Sequence, residues 1–276
     1  MDNIKRLIQQ HFTEEHITSI DTTQHTEQQL PNTSTEAHPS TSSTEENTEN
    51  EEETSMAKNI KSSPSTKDTK IKEKSQEKMI SYSPPIPSDP QLLELYNTCL
   101  ICKACELCDS ALNLVFGDGN PKAQIMVIGE APGADEDEQG RPFVGRAGQL
   151  LIKLLNKYGV QREDIFIANI LKHRPPNNRN PLSSEISACT PFLRKQIELI
   201  QPKLLITLGN FSSQYILETK VGITKIRGVV QESSYGMVLP TLHPSAIIRG
   251  AYPVDLLEKD VVTALQYVGY DAILED

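Results

Sequence analysis

The sequence predicts an α/β fold with a parallel sheet covered on both faces, and three observations carry that expectation. Short apolar runs at residues 124–128, 165–170 and 204–208 have the length and composition of buried strands. Helical periodicity fills the segments between them, as in Leu150, Leu151, Leu154, Leu155 and Tyr158, so strand alternates with helix. The first strand also runs straight into a glycine-rich loop, and in open α/β sheets the crevice beyond the carboxyl ends of the strands is where ligands bind.

Composition divides the chain. At 276 residues it has room for one large or two small domains, and 37% hydrophobic content without tryptophan is lean for a chain folded throughout. The deficit is local: between Leu7 and Ala57 there are eleven acidic residues and no Lys or Arg. Such a segment buries too little apolar surface to offset its conformational entropy, which predicts disorder. A lysine-rich stretch and the proline-rich linker 81–87 follow. The expected division is a disordered region over 1–88 and a folded domain over 89–276. At the extreme N-terminus, Ile4, Leu7, Ile8 and Phe12 recur at helical spacing, so residues 1–12 are a candidate recognition helix for a protein partner.

Within the folded part a turn-rich cysteine region comes first, then strand 124–128, the loop, and a helix closing near Gly159. Strand 165–170 leads through a loop with Pro175, Pro176 and Pro181 into a helix over 183–200, stopped by Pro202. Strand 204–208 and a helix over 210–217 follow. A hairpin, 229–232 against 237–242, supplies a fourth strand before the last helix, 254–268.

Charge gives only local guidance to a partner. Residues 1–90 hold nine basic against sixteen acidic side chains, and residues 91–276 hold eighteen against twenty-one. A nucleic-acid binder is expected to show a basic patch, and the domain fails that test globally. It passes locally, because Arg141, Arg146, Lys172, Arg174, Arg179, Lys225, Arg227 and Arg249 all fall in loops near strand ends. The N-terminus lacks the continuous apolar core of a signal peptide, and nowhere do eighteen apolar residues run together. The expectation is a soluble, cytoplasmic monomer that does not engage a membrane.

Gly129-Glu130-Ala131-Pro132-Gly133, followed by Gly140-Arg141-Pro142-Phe143-Val144-Gly145-Arg146-Ala147-Gly148, resembles the first motif of the family 4 uracil-DNA glycosylases. Further matches come in that family's order: Asn169, Lys172 to Pro176, Asn178-Arg179 and Leu242-His243-Pro244-Ser245. The resemblance runs from about Cys102 to the C-terminus. It implies a three-layer α/β/α sandwich with a four-stranded sheet, and excision of uracil from DNA. A base can be cut from DNA only after it is flipped from the stack and read by stacking and by its Watson-Crick edge. The resemblance assigns stacking to Phe143 and reading to Asn169, whose amide both donates and accepts as uracil requires and cytosine does not. It places Gly129 and Ala131 against the substrate. His243 would donate to the uracil oxygen as charge builds there. Ile248 would wedge the duplex, while Ser245, Arg249 and Arg179 contact DNA.

One catalytic group is missing from the first motif. The aspartate that directs water in the best-known relatives falls here on Ala131, so Glu130 is the nearest carboxylate for positioning water or holding the loop. Glu136 is a further carboxylate, expected to crowd the C5 edge of the base and exclude thymine. Non-catalytic or covalent binding of damaged DNA is the alternative reading. The loop 174–182 is short and has no histidine, unlike that of the related covalent-binding branch, which favours turnover.

Cys99, Cys102, Cys105, Cys108 and Cys189 are the five cysteines, four of them spaced by three. That run resembles iron–sulfur spacing more than the separated pairs of a zinc ribbon. The resemblance implies a 4Fe-4S cluster whose ligands align with Cys102, Cys105, Cys189 and, where the family has a cysteine, His173. Cys108 competes with His173 for the fourth iron, with the better ligand chemistry but the less favourable position.

Overall fold

The strands of the computed structural model are β1 (Asp118–Gly119), β2 (Ile125–Gly129), β3 (Phe166–Asn169), β4 (Leu204–Leu208), β5 (Gln231–Ser233) and β6 (Gly236–Thr241). They form one sheet in the order β1-β3-β2-β4-β6-β5. The four inner strands run parallel, as expected, and β1 and β5 add short antiparallel edges. The sheet has six strands where four were expected: β5 is the first arm of the expected hairpin, joined to the sheet through β6, and β1, with two residues, is too short to show a period. The structure describes residues 84–274, all within one compact unit, Ile80–Asp276. The expected disorder and the candidate recognition helix of 1–12 lie outside the described residues.

The helices are α1 (Pro90–Leu100), α2 (Leu107–Ser110), α3 (Ala134–Gln139), α4 (Arg146–Lys157), α5 (Ser183–Ile200), α6 (Gly209–Ile216), α7 (Ile223–Ile226), α8 (Pro244–Ile248) and α9 (Val254–Val268). Alternation along the strands makes the three layers. On β2, Met126 and Ile128 join the core built with α1 and α5, through Leu92, Tyr96, Phe192, Leu193 and Ile197. Ile125 and Val127 face the opposite way, into the core built with α4 and α9, through Leu151, Leu154, Leu155, Leu257 and Val261. Being buried on both faces, the central strands read as continuous apolar runs.

Five of these helices, α1, α2, α3, α7 and α8, were not expected. α1 starts cleanly, with the Asp89 carboxylate accepting from the amides of Gln91 and Leu92 and Pro90 in the first turn. α3 sits inside the glycine-rich loop, where its acidic residues had suggested only solvated chain. No helix among the described residues is long and apolar enough to cross a membrane.

Candidate active site

Four strand ends converge on one cleft. Gly129 ends β2 and pairs in register with Asn169 at the end of β3, Gly209 follows β4, and His243 lies just past β6. Gly129 is what allows the approach. A Cβ there would come within 2.3 Å of Asn169 Oδ1 and 2.7 Å of the Phe143 ring, so any larger residue would push both away. Gly209, with φ +87, likewise lies against the Cβ of His243. The Phe143 and His243 rings face each other at 5.9 Å between centroids, tilted by 37°.

Phe143 is held in an unusual conformation. Its φ of 53° is left-handed, a cost the surrounding contacts must offset. Arg162 Nη1 donates to its carbonyl at 3.2 Å and Nη2 to that of Pro142 at 2.5 Å. Gly148 in α4 presses on the same peptide so closely that a Cβ would lie 2.0 Å from the Phe143 carbonyl oxygen. Arg162 was missed by the sequence reading because nothing in its local pattern marks it; only the fold brings it to the loop.

Asn169 is 1% exposed, and its Oδ1 has no hydrogen-bond partner. An unpaired buried acceptor costs about 1–3 kcal/mol, so such atoms usually mark a ligand or a water. Here it faces the gap between Gly129 and the Phe143 ring.

His243 caps α8. The Ser245 amide donates to its Nδ1 at 3.1 Å, so Nδ1 is an acceptor and the proton of the neutral ring sits on Nε2. Ser245 Oγ lies 2.8 Å from the same Nδ1. Burial, with Arg249 nearby, pushes the imidazole pKa down to about 4. The ring is therefore neutral at pH 7 and offers Nε2–H as a donor. Ile248 is half-buried and Arg249 exposed on the same turn.

The carboxylates divide differently from expectation. Glu136 Oε1 accepts from the amides of Val144 and Gly145 at 3.0 and 2.8 Å, and Oε2 from that of Gly133 at 3.1 Å. Both of its oxygens are thus engaged by the loop. Glu130 is half-buried, and burial raises its pKa. Ala131 beside it packs against the apolar core.

Several basic residues are also already paired. The Arg179 fork closes on both oxygens of Glu185 at 2.9 and 2.5 Å. Arg141 pairs with Asp118, Arg174 approaches Asp137 at 4.0 Å, and Arg227 pairs with Asp260. Lys172 is fully buried, its Nζ donating to Asn169 O at 2.8 Å and Gln196 Oε1 at 2.7 Å, and burial pushes its pKa down to about 8. Arg146, Lys225 and Arg249 are exposed.

Cys189, on α5, joins the apolar core, against which Cys102 and Cys105 pack. Its Sγ accepts from the Lys172 amide at 3.2 Å, and burial raises its thiol to about 12. Cys108 does not pack into this core; its thiol donates to the Cys105 carbonyl at 3.2 Å. His173 is half-buried, and the Asp137 carboxylate is the charge acting on its imidazole. The fourth cysteine in the core is Cys99. No three described His, Cys, Asp or Glu residues are close enough to hold a single metal ion. All five cysteines are free thiols.

The strand ends thus bring together an aromatic ring, a buried amide oxygen without a partner and a neutral imidazole, groups that can stack on and hydrogen-bond a flat heterocycle. Residues 116–266 match the family model of the uracil DNA glycosylase superfamily. The chain is 46% identical over 169 residues to a type-4 uracil-DNA glycosylase of Sulfurisphaera tokodaii, covering 58% of this chain and 76% of that protein. It is 47% identical over 150 residues to a type-4 uracil-DNA glycosylase of Thermotoga maritima, covering 54% and 78%. A type-5 uracil-DNA glycosylase of Pyrobaculum aerophilum is 30% identical over 146 residues, covering 47% and 64%. The chain belongs to the uracil DNA glycosylase superfamily, in its type-4 family.

Proposed function

We infer that this chain is a uracil-DNA glycosylase, a DNA-repair hydrolase that flips uracil from DNA and cleaves the bond between N1 and the sugar. The unpaired, buried Oδ1 of Asn169 carries the reading. Uracil presents an N3–H to such an acceptor, whereas cytosine has no hydrogen there, so a flipped cytosine leaves the acceptor unpaired. The Phe143 ring, fixed by Arg162 and Gly148, stacks on the base.

As the bond breaks, its electron pair passes to uracil and positive charge develops on the sugar. His243 donates its Nε2–H to the uracil oxygen, and a neutral donor suits a group that is not to be fully protonated. Water adds its oxygen to the sugar carbon, and its proton ends on the departing base or in solvent. Glu130 is the nearest candidate for orienting that water, since Ala131 offers no carboxylate. Glu136 is reassigned from excluding thymine to clamping the loop. Arg179 is reassigned from DNA contact to bracing Glu185. Ser245, Ile248, Arg249 and the exposed Arg146 and Lys225 form the DNA-facing set.

The residues fit an iron–sulfur cluster, because soft thiols converge on the apolar core and a backbone amide donates to the Cys189 sulfur. Cys102, Cys105 and Cys189 would hold it; His173 is the fourth ligand that alignment with the family suggests. When bound, it ties the 101–106 turn to α5 and takes no part in the cleavage.

The test is incubation with a uracil-containing oligonucleotide followed by alkali, which nicks at abasic sites. Strand cleavage at uracil alone supports the reading. A stable or covalent complex without turnover would point to damaged-DNA binding.

A further inference from the structure

We propose that Cys99, and not His173 or Cys108, closes the ligand set of the cluster with Cys102, Cys105 and Cys189. This rests on the reading above that the chain carries an iron–sulfur cluster, and it names a ligand that the family alignment does not supply. Cys99 lies in the last turn of α1, three residues before Cys102, whose amide donates back to the Cys99 carbonyl at 3.1 Å. The helix therefore delivers its thiol beside the loop cysteines. Cys99 is 1% exposed and belongs, with Cys189, to the core against which Cys102 and Cys105 pack. Its thiol is within electrostatic reach of Cys189, Cys102 and Cys105 at once.

A buried cysteine is ordinarily a small core residue. Lys172 argues for more. Its ammonium is fully buried, its hydrogen-bond acceptors are the neutral Asn169 carbonyl and Gln196 amide, and the ionisable groups acting on it are Cys189 and Cys99. A buried cation calls for a counter-charge, which thiolates on a cluster would supply. His173 has its own neighbour in Asp137, and Cys108 turns to the Cys105 carbonyl beside Asp109 and Lys103. Thiolate is also the softer ligand for iron in such clusters.

The full chain, purified without oxygen, is assayed for iron, sulfide and visible absorbance alongside Cys99→Ser, Cys108→Ser and His173→Ala. Cys99→Ser should lose iron and absorbance, and the other two should keep both. Nitrogen hyperfine coupling is then measured on the reduced wild-type cluster, so the answer does not depend on how well a variant folds. An all-thiolate set shows only the weak coupling of backbone amides that donate to its sulfurs, such as Lys172 to Cys189, and lacks the strong coupling of a bound imidazole nitrogen. Full iron in Cys99→Ser, or the strong nitrogen coupling of a bound imidazole in the wild type, overturns the assignment alone. A wild-type chain without iron overturns the cluster reading and this assignment with it.

Discussion

In the proposed function Asn169 and His243 carry the chemistry, the first through a buried acceptor without a partner and the second through a buried neutral ring whose Nδ1 is held by Ser245. The Asn169 acceptor is buried without a partner, and only a base with an N–H at the facing edge can pair with it. Asn169→Asp replaces the amide donor by a carboxylate and should abolish uracil excision; full activity in the single-turnover assay would remove Asn169 from recognition. His243→Ala should slow excision by about 10²-fold, the usual scale for losing one charge-stabilising donor, with DNA affinity nearly unchanged. The imidazole pKa, depressed to about 4, adds a pH prediction. Its charged form is disfavoured in the fold, so the neutral donor persists as pH falls through 6.5 and is lost only near 4. The rate-pH profile should show no break near 6.5; a break there that vanishes in His243→Ala would mean that the ring titrates normally. The sequence singles out both residues because each lies in a motif at or just past the end of a strand. Arg162 was not singled out because it reaches the loop only through the fold, and the amides that Glu136 accepts come from loop residues that its acidic neighbours do not announce.

At the scale of elements, the loop between β2 and α4 is a preorganised cradle and not a flexible connector. Glu136 gathers three amides, Arg162 two carbonyls, and Gly148 lets α4 close on Phe143. Glu136→Ala should cost about 2 kcal/mol, since it strands amide donors, and lower Tm by roughly 4–8 °C while raising KM for uracil DNA. A change in selectivity against thymine with unchanged Tm would restore the role first expected for it. α1 shows why elements escape a sequence reading. Its buried residues, Leu92, Tyr96 and Cys99, fall at helical spacing after an Asp-Pro start, but the cysteine run drew attention to ligand spacing and away from that period. α5 and α9 were legible to the residue because each has a long apolar face and a clear boundary.

Across the whole molecule, the parallel strands place every proposed chemical group at one edge of the sheet, and the cysteine core lies on the α1–α5 face. Iron removal by chelation should therefore loosen α1 and the 101–106 turn first, read as faster amide exchange there while β2 and β4 stay protected. Uniform loss of protection would mean that the cluster supports the entire fold. The parallel sheet was legible from alternating elements and β5 from the hairpin, whereas β1 was too short to leave a pattern. The central claim is that the cleft reads and removes uracil. Its most direct measurement is single-turnover cleavage, developed with alkali, of matched oligonucleotides that carry uracil, cytosine or thymine at one position. The account predicts a nick at uracil and none at cytosine, whose edge has no N3–H for the Asn169 acceptor. No cleavage at uracil, or equal cleavage of cytosine, would contradict it.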